Sequence, residues 1–215
     1  MLKETATNRW YYLADDTKIE VKWHEQYGDT KVTIENEKKK GIIKVIKTDK
    51  DFQEYALEGI TFDIYDEDNN FIETIRTNEE GIAESSRLRI DKKYYLIETN
   101  TLENYILDEN TYTIDFTENL TKDEINDIQT DTIYTLKLTN EHKKGKLLVH
   151  KVDADDNTIP LENIKFELYA NKVDSPYKEE QLIGTYTTDE NGEIYIENLW
   201  TGEWYLKEVE TRYIL

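Results

Sequence analysis

Short runs of alternating apolar and polar residues fill most of the chain, with turn-forming clusters between them. In GIIKVIKTD, from Gly41 to Asp49, Ile43 and Val45 fall on one side of a two-residue period and Lys44 on the other. The runs LEGITFDIY from Leu57, YYLIET from Tyr94 and TLKLTN from Thr135 keep that period and are rich in Ile, Val, Thr and Tyr. Asp66 to Asn70 and Asn78 to Gly81 supply turns between them. This pattern predicts an all-β sandwich of short strands. One segment departs from it: Thr121-Lys122-Asp123-Glu124 has the form of a capping box ahead of Ile125 and Ile128, which predicts a single short helix in a loop.

The chain also repeats itself. GIIKVIKTD recurs as GKLLVHKVD from Gly145, and LEGITFDIY recurs as LENIKFELY from Leu161, both displaced by 104 residues. TNEEG ending at Gly81 matches TDENG ending at Gly192, a displacement of 111, so an insertion falls around residues 171–184. YYLIET is matched by WYLKEV from Trp204. LKET from Leu2 and IENEKKKG from Ile34 form a partial third copy. The resulting frame is the C-terminal part of a repeat (1–40), a complete repeat (41–144) and the N-terminal part of another (145–215). No Gly/Ser-rich linker separates them, so successive repeats are expected to abut.

Strand parity singles out three polar residue types directed at apolar faces. Lys47 shares a side with Ile43 and Val45, Glu98 with Tyr94 and Leu96, and Asn140 with Leu136 and Leu138. The copies repeat this placement: Lys151 with Leu147 and Val149, Glu208 with Trp204 and Leu206, Glu4 with Leu2, and Asn36 with Val32 and Ile34. An unpaired buried Lys or Glu costs several kcal/mol, so such residues need a partner or a task. One reading is a buried Lys–Glu ion pair capped by Asn, or strand ends whose polar groups escape to solvent. The chemical reading is that desolvation lowers the Lys pKa and raises the Glu pKa, leaving a neutral amine and a neutral acid. A neutral amine can attack a carboxamide carbon whose oxygen is protonated, with Glu moving the proton to the departing ammonia. The product is a Lys–Asn isopeptide bond.

These motifs together, GIIKVIKTD, LEGITFDIY, YYLIET and TLKLTN, resemble the Cna B-type (SpaA-like, prealbumin-like) repeats of Gram-positive surface adhesins and pilins. The resemblance covers nearly the whole chain. It implies tandem seven-stranded immunoglobulin-like sandwiches with an autocatalytic bond from first-strand Lys to last-strand Asn or Asp, promoted by Glu. Matched by motif, the set is Lys47, Glu98 and Asn140 in the complete repeat, Lys151 and Glu208 in the last, and Glu4 and Asn36 in the first. One departure from the family pattern is the stretch Asn100 to Asn104 before Tyr105, where a Pro-Gly turn is common.

Composition narrows the partners. With 27 basic and 47 acidic residues the net charge is -20, which disfavours nucleic acid and anionic membrane surfaces. There are no cysteines, so disulfides and Cys-ligated zinc are excluded. No apolar run approaches the roughly 18 residues of a membrane span. Asp153, Asp155 and Asn157 open like a calcium loop, but Thr158-Ile159-Pro160 follows, which favours an ordinary turn. His24, His142 and His150 are isolated in sequence, and Lys38 to Lys40 and Lys143-Lys144 read as solvated junctions. Trp10, Trp23 and Trp200 suit core or inter-repeat packing better than a ligand surface. The expected function is a covalently stiffened stalk of a cell-surface adhesin or pilin. Its partners are neighbouring repeats of the same polypeptide; it uses no cofactor and does no chemistry beyond the single bond-forming turnover. Location outside the cell is expected, anchored to the wall through other parts of the parent protein. The alternative is an adhesive module that grips a host protein, peptide or glycan.

Overall fold

The computed structural model describes residues 1–21, 30–173 and 177–210; Trp23, His24 and the last five positions of the 145–215 segment lie outside it. Contacts divide the chain into two compact units. The first comprises Met1–Lys47, Ala56–Thr101 and Leu107–Leu138; the second comprises Thr48–Tyr55, Leu102–Ile106 and Thr139–Leu215.

Eight strands and one helix make up the complete repeat: β1 (Lys40–Asp49), β2 (Thr61–Asp66), β3 (Phe71–Arg76), β4 (Ile82–Glu84), β5 (Leu88–Arg89), β6 (Lys93–Asn100), β7 (Thr111–Asp115), α1 (Lys122–Asp127) and β8 (Thr132–Asn140). One sheet has β1 at its centre, with β4 and β5 end to end along one side and β8 on the other; the second runs β3-β2-β6-β7. Since β4 and β5 share one edge, the sandwich is effectively seven-stranded. Alternation decides the faces: β1 is buried at every second residue, placing Ile43 and Val45 inside opposite Phe62, Ile64, Leu96 and Ile114, none of them exposed. Each such side chain contributes about 1.5–3 kcal/mol by leaving water. Helix α1 starts at the expected box: Thr121 Oγ1 accepts from the Glu124 amide, and Glu124 returns a bond to the Thr121 amide.

The second unit repeats the pattern with β9 (Lys144–His150), β10 (Lys165–Val173), β11 (Leu182–Thr187), β12 (Glu193–Trp200) and β13 (Gly202–Glu210). Its sheets are β9-β12 and β11-β10-β13, around Ile164, Phe166, Leu168, Ile194, Ile196 and Leu199. The copies agree down to single bonds. The Lys47 amide donates to Gly81 O and the Lys151 amide to Gly192 O, each at 2.8 Å, and both glycines sit at φ +70°. A Cβ on either would strike the carbonyl oxygen of the paired lysine, so each turn needs glycine sterically as well as conformationally.

The partial first copy differs from expectation. Residues 1–39 contain no strand among the described residues, only isolated bridges pairing Leu2 with Thr17 and Tyr11 with Lys38. Val32 and Ile34, expected to face inward, are exposed. An alternating strand buries a face only when a sheet is there to receive it, and the described residues of this segment join none. Asp153, in contrast, forms the expected turn: its carboxylate accepts from the amides of Asp155 and Asp156.

Candidate functional site

Lys47 lies near the end of β1 and Glu98 on β6, so the two sheets of the sandwich each contribute one partner. Parity turns both inward. Lys47 Nζ stands 2.7 Å from Glu98 Oε2, with neither side chain exposed to solvent. The amine also lies 5.7 Å from the centre of the Phe62 ring. Burial pulls the Lys47 pKa below its ordinary value, against the opposing effects of Glu98 and then Asp108. The Asp108 amide donates to Glu98 Oε1 at 3.4 Å, and the Asp108 carboxylate accepts from the Tyr112 hydroxyl at 2.6 Å. Desolvation, then Asp108, pushes the Tyr112 pKa up to about 12, so its hydroxyl stays protonated as a donor.

Asn140 is the last residue of β8, and it is buried. β8 pairs with β1, and the Lys50 amide donates to the Asn140 carbonyl at 3.0 Å. The C-terminal ends of the two strands therefore lie side by side.

The copies hold fragments of the same set. Lys151 Nζ and Glu208 Oε2 are 3.2 Å apart, each side chain about a third exposed. In the first copy Asn36 Nδ2 donates to Glu4 Oε2 at 2.6 Å and to the Tyr12 carbonyl at 2.9 Å, while the Ala14 amide donates to Glu4 Oε2 at 2.7 Å. These contacts, led by the Ala14 bond, hold the Glu4 pKa below its usual range. The Glu–Asn half of the set thus forms even where the flanking residues make no strand.

Two features escaped the sequence. Lys39, read as part of a solvated junction, is buried, and its Nζ donates to the carbonyls of Ile125 (2.6 Å) and Asn126 (2.9 Å) at the C-terminal end of α1. The Ile125 carbonyl otherwise accepts only a long 3.4 Å bond from the C-cap amide of Ile128, and the buried ammonium adds a partner for it and for Asn126. His142, read as isolated, is buried and stacked on Trp200, with ring centres 3.9 Å apart and planes at 19°. Trp200 itself is core, as expected. His150 is exposed, also as expected. Among the described residues no cluster of His, Asp and Glu could hold a metal ion, and no helix is long and apolar enough to cross a membrane.

The fold and this repeated pairing of Lys with Glu define a class, and sequence comparison agrees with it. The SpaA family, a prealbumin-like fold domain, matches residues 41–131 and again 145–213. The chain belongs to that family. Comparison with curated proteins gave no match. Among solved structures, the Bacillus anthracis TIE protein is similar at 24% identity and a TM-score of 0.61, over 82% of this chain and 29% of that one. This chain therefore spans less than a third of the TIE structure, and the likeness is one of fold. A streptococcal ancillary pilin aligns at 19% identity with a TM-score of 0.37, over 81% of this chain and 56% of that one. The SpaE basal pilin of Lactobacillus rhamnosus GG aligns at 15% identity with a TM-score of 0.43, over 80% of this chain and 82% of that one.

Proposed function

We propose that this chain is part of the stalk of a Gram-positive surface pilin or adhesin, framed as repeats 1–40, 41–144 and 145–215, and stiffened by an isopeptide bond between Lys47 and Asn140. One observation carries the reading: a Lys–Glu pair with no solvent exposure, on a strand whose neighbour ends in a buried Asn. In the reaction the neutral Lys47 amine attacks Cγ of Asn140 while Glu98 protonates the carboxamide oxygen. The tetrahedral adduct collapses as Glu98 relays a proton to the leaving nitrogen. One C–N bond forms, one breaks and ammonia leaves, with no cofactor and a single turnover. Asp108 and Tyr112 position Glu98 and keep a negative charge near the amine until it gives up its proton.

The bond would join the first and last strands of the sandwich, the two through which a tandem array transmits tension. The location that follows is extracellular, attached to the wall through other parts of the parent protein. The adhesive alternative draws less support. An apolar hollow of about 520 Å³ among Leu147, Val149, Leu168, Trp204 and Leu206 lies between the sheets of the second unit. There β9 pairs only with β12 among the described residues, whereas β1 also has β8. It is open core rather than a built ligand site. Stretching single chains tests the stalk: the 41–144 repeat should show no unfolding extension in the parent and a full extension in Lys47→Ala. An extensible parent repeat would refute the proposal.

A further inference from the structure

The repeat displacements bring three further positions into correspondence: Tyr11 with Tyr105, Lys38 with His142, and Arg89 with Trp200. The structure keeps them equivalent. Tyr11 bridges Lys38 as Tyr105 bridges His142. The Tyr12 amide donates to Glu37 O as the Ile106 amide does to Glu141 O, both at 2.9 Å. Arg89 is paired with Lys40, and Trp200 with Lys144, at the start of successive first strands. Each set thus surrounds the point where one repeat hands over to the next, and each lies wholly within one compact unit.

The chemistry at the two points differs. At the first, Arg89 grips Asp91 with two bonds of 2.9 and 2.7 Å, Lys38 reaches the same carboxylate at 3.1 Å, and the Lys38 ammonium lies 4.7 Å from the Tyr11 ring centre. At the second, the His142 ring is stacked on Trp200, Tyr105 meets His142 edge-on at 4.9 Å, and Phe52 meets Trp200 edge-on at 5.6 Å. The His142 Nδ1–H donates to the Lys143 carbonyl at 2.6 Å, which fixes the ring in its stacked orientation.

We propose that these three positions form the joint between consecutive repeats and that their residues set its character: Tyr11/Lys38/Arg89 makes an ionic, salt-responsive joint, and Tyr105/His142/Trp200 makes an aromatic, salt-resistant one. The partner each joint fits is the neighbouring repeat of the same chain. A Lys at the position after Asn-Glu calls for an Arg–carboxylate pair opposite, and a His calls for an indole. Joints of unlike chemistry also discourage repeats from docking in the wrong order, because an unpaired Arg or an exposed indole would be left over. Partly exposed ion pairs weaken as the screening length falls from about 10 Å at 0.1 M salt to about 3 Å at 1 M, whereas buried aromatic stacks do not.

Equivalent amides report the two joints side by side: Lys39 N–H, bonded to Trp10 O at 2.9 Å, and Lys143 N–H, bonded to Asn104 O at 2.7 Å. Hydrogen exchange of the whole chain, read by NMR at low and high sodium chloride, should show Lys39 losing protection about fivefold relative to Lys143, the factor expected from screening such a network. Equal responses at both amides, or the reverse order, would overturn the proposal. In the double variant His142→Lys with Trp200→Arg, Lys143 should become as salt-responsive as Lys39. If that variant folds and Lys143 stays salt-resistant, the three positions do not set the joint's character. If it does not fold, the parent comparison alone decides.

Discussion

Replacing Glu98 by alanine removes the one carboxylate within 2.7 Å of the Lys47 amine at a point with no solvent exposure. Two losses follow. Under the proposed mechanism, a chain without its proton shuttle should not form the bond to Asn140, and the segment from Lys47 to Asn140 should stay open. By the chain-entropy relation used for disulfides, closing a loop of this size is worth about 4–5 kcal/mol. The uncross-linked variant is also left with a buried amine that has lost its paired carboxylate, with Asp108 the remaining acidic influence on it. Removing one partner of a buried pair costs about 3–5 kcal/mol, less whatever the amine recovers by shedding its proton. Each kcal/mol corresponds to about 4–8 °C for a domain of this size, so even the cross-link alone should lower the melting temperature by about 15 °C or more. Scanning calorimetry measures this, with Lys47→Ala as the comparison, which deletes the bond from the amine side and leaves the buried Glu98 carboxylate without its ammonium. Glu98→Ala and Lys47→Ala should both melt far below the parent. If Glu98→Ala melts with the parent, or its mass still lacks an ammonia, the assigned role of Glu98 is refuted.

Further outcomes follow from the same geometry. Gly81→Ala places a Cβ against the Lys47 carbonyl at φ +70°; it should cost about 1–3 kcal/mol in a denaturant melt and lower the cross-linked fraction by displacing β1. Lys39→Met keeps the buried stem but removes the ammonium from the carbonyls of Ile125 and Asn126, leaving Ile125 only the long bond from the Ile128 amide; a loss of about 1.5–3 kcal/mol is expected, with faster exchange confined to α1, and parent-like exchange there would contradict it. Arg89, then Lys38, hold the Asp91 pKa at about 2 against an ordinary 3.8. A depressed carboxylate pKa contributes stability that is present above the ordinary value and lost as pH falls through the folded one. The joint at Lys38 should therefore loosen between about pH 4 and pH 2, and Asp91→Asn should abolish that step in an NMR titration of the Lys39 amide.

Much of this was legible because a period of two is a strong constraint. Once Ile43 and Val45 are inside, Lys47 must follow them, and the same logic places Glu98 behind Leu96 and Asn140 behind Leu138. Helix α1 was legible because its capping box is local. The misreadings concern contacts that local pattern does not encode. Lys39 looks like one more solvated cation in a run of three; only the return of α1, more than eighty residues later, supplies the carbonyls that bury it. His142 is silent for the same reason, since Trp200 reaches it from another strand. Val32 and Ile34 show the limit of parity, which says which residues share a face but not whether a sheet exists to cover it.

The central claim is covalent, so the most direct measurement is the intact mass of the purified chain. The account predicts a mass one ammonia below that of the sequence, and a tryptic fragment in which the peptides of Lys47 and Asn140 remain joined. A mass equal to the sequence mass, with those two peptides recovered separately, would contradict it.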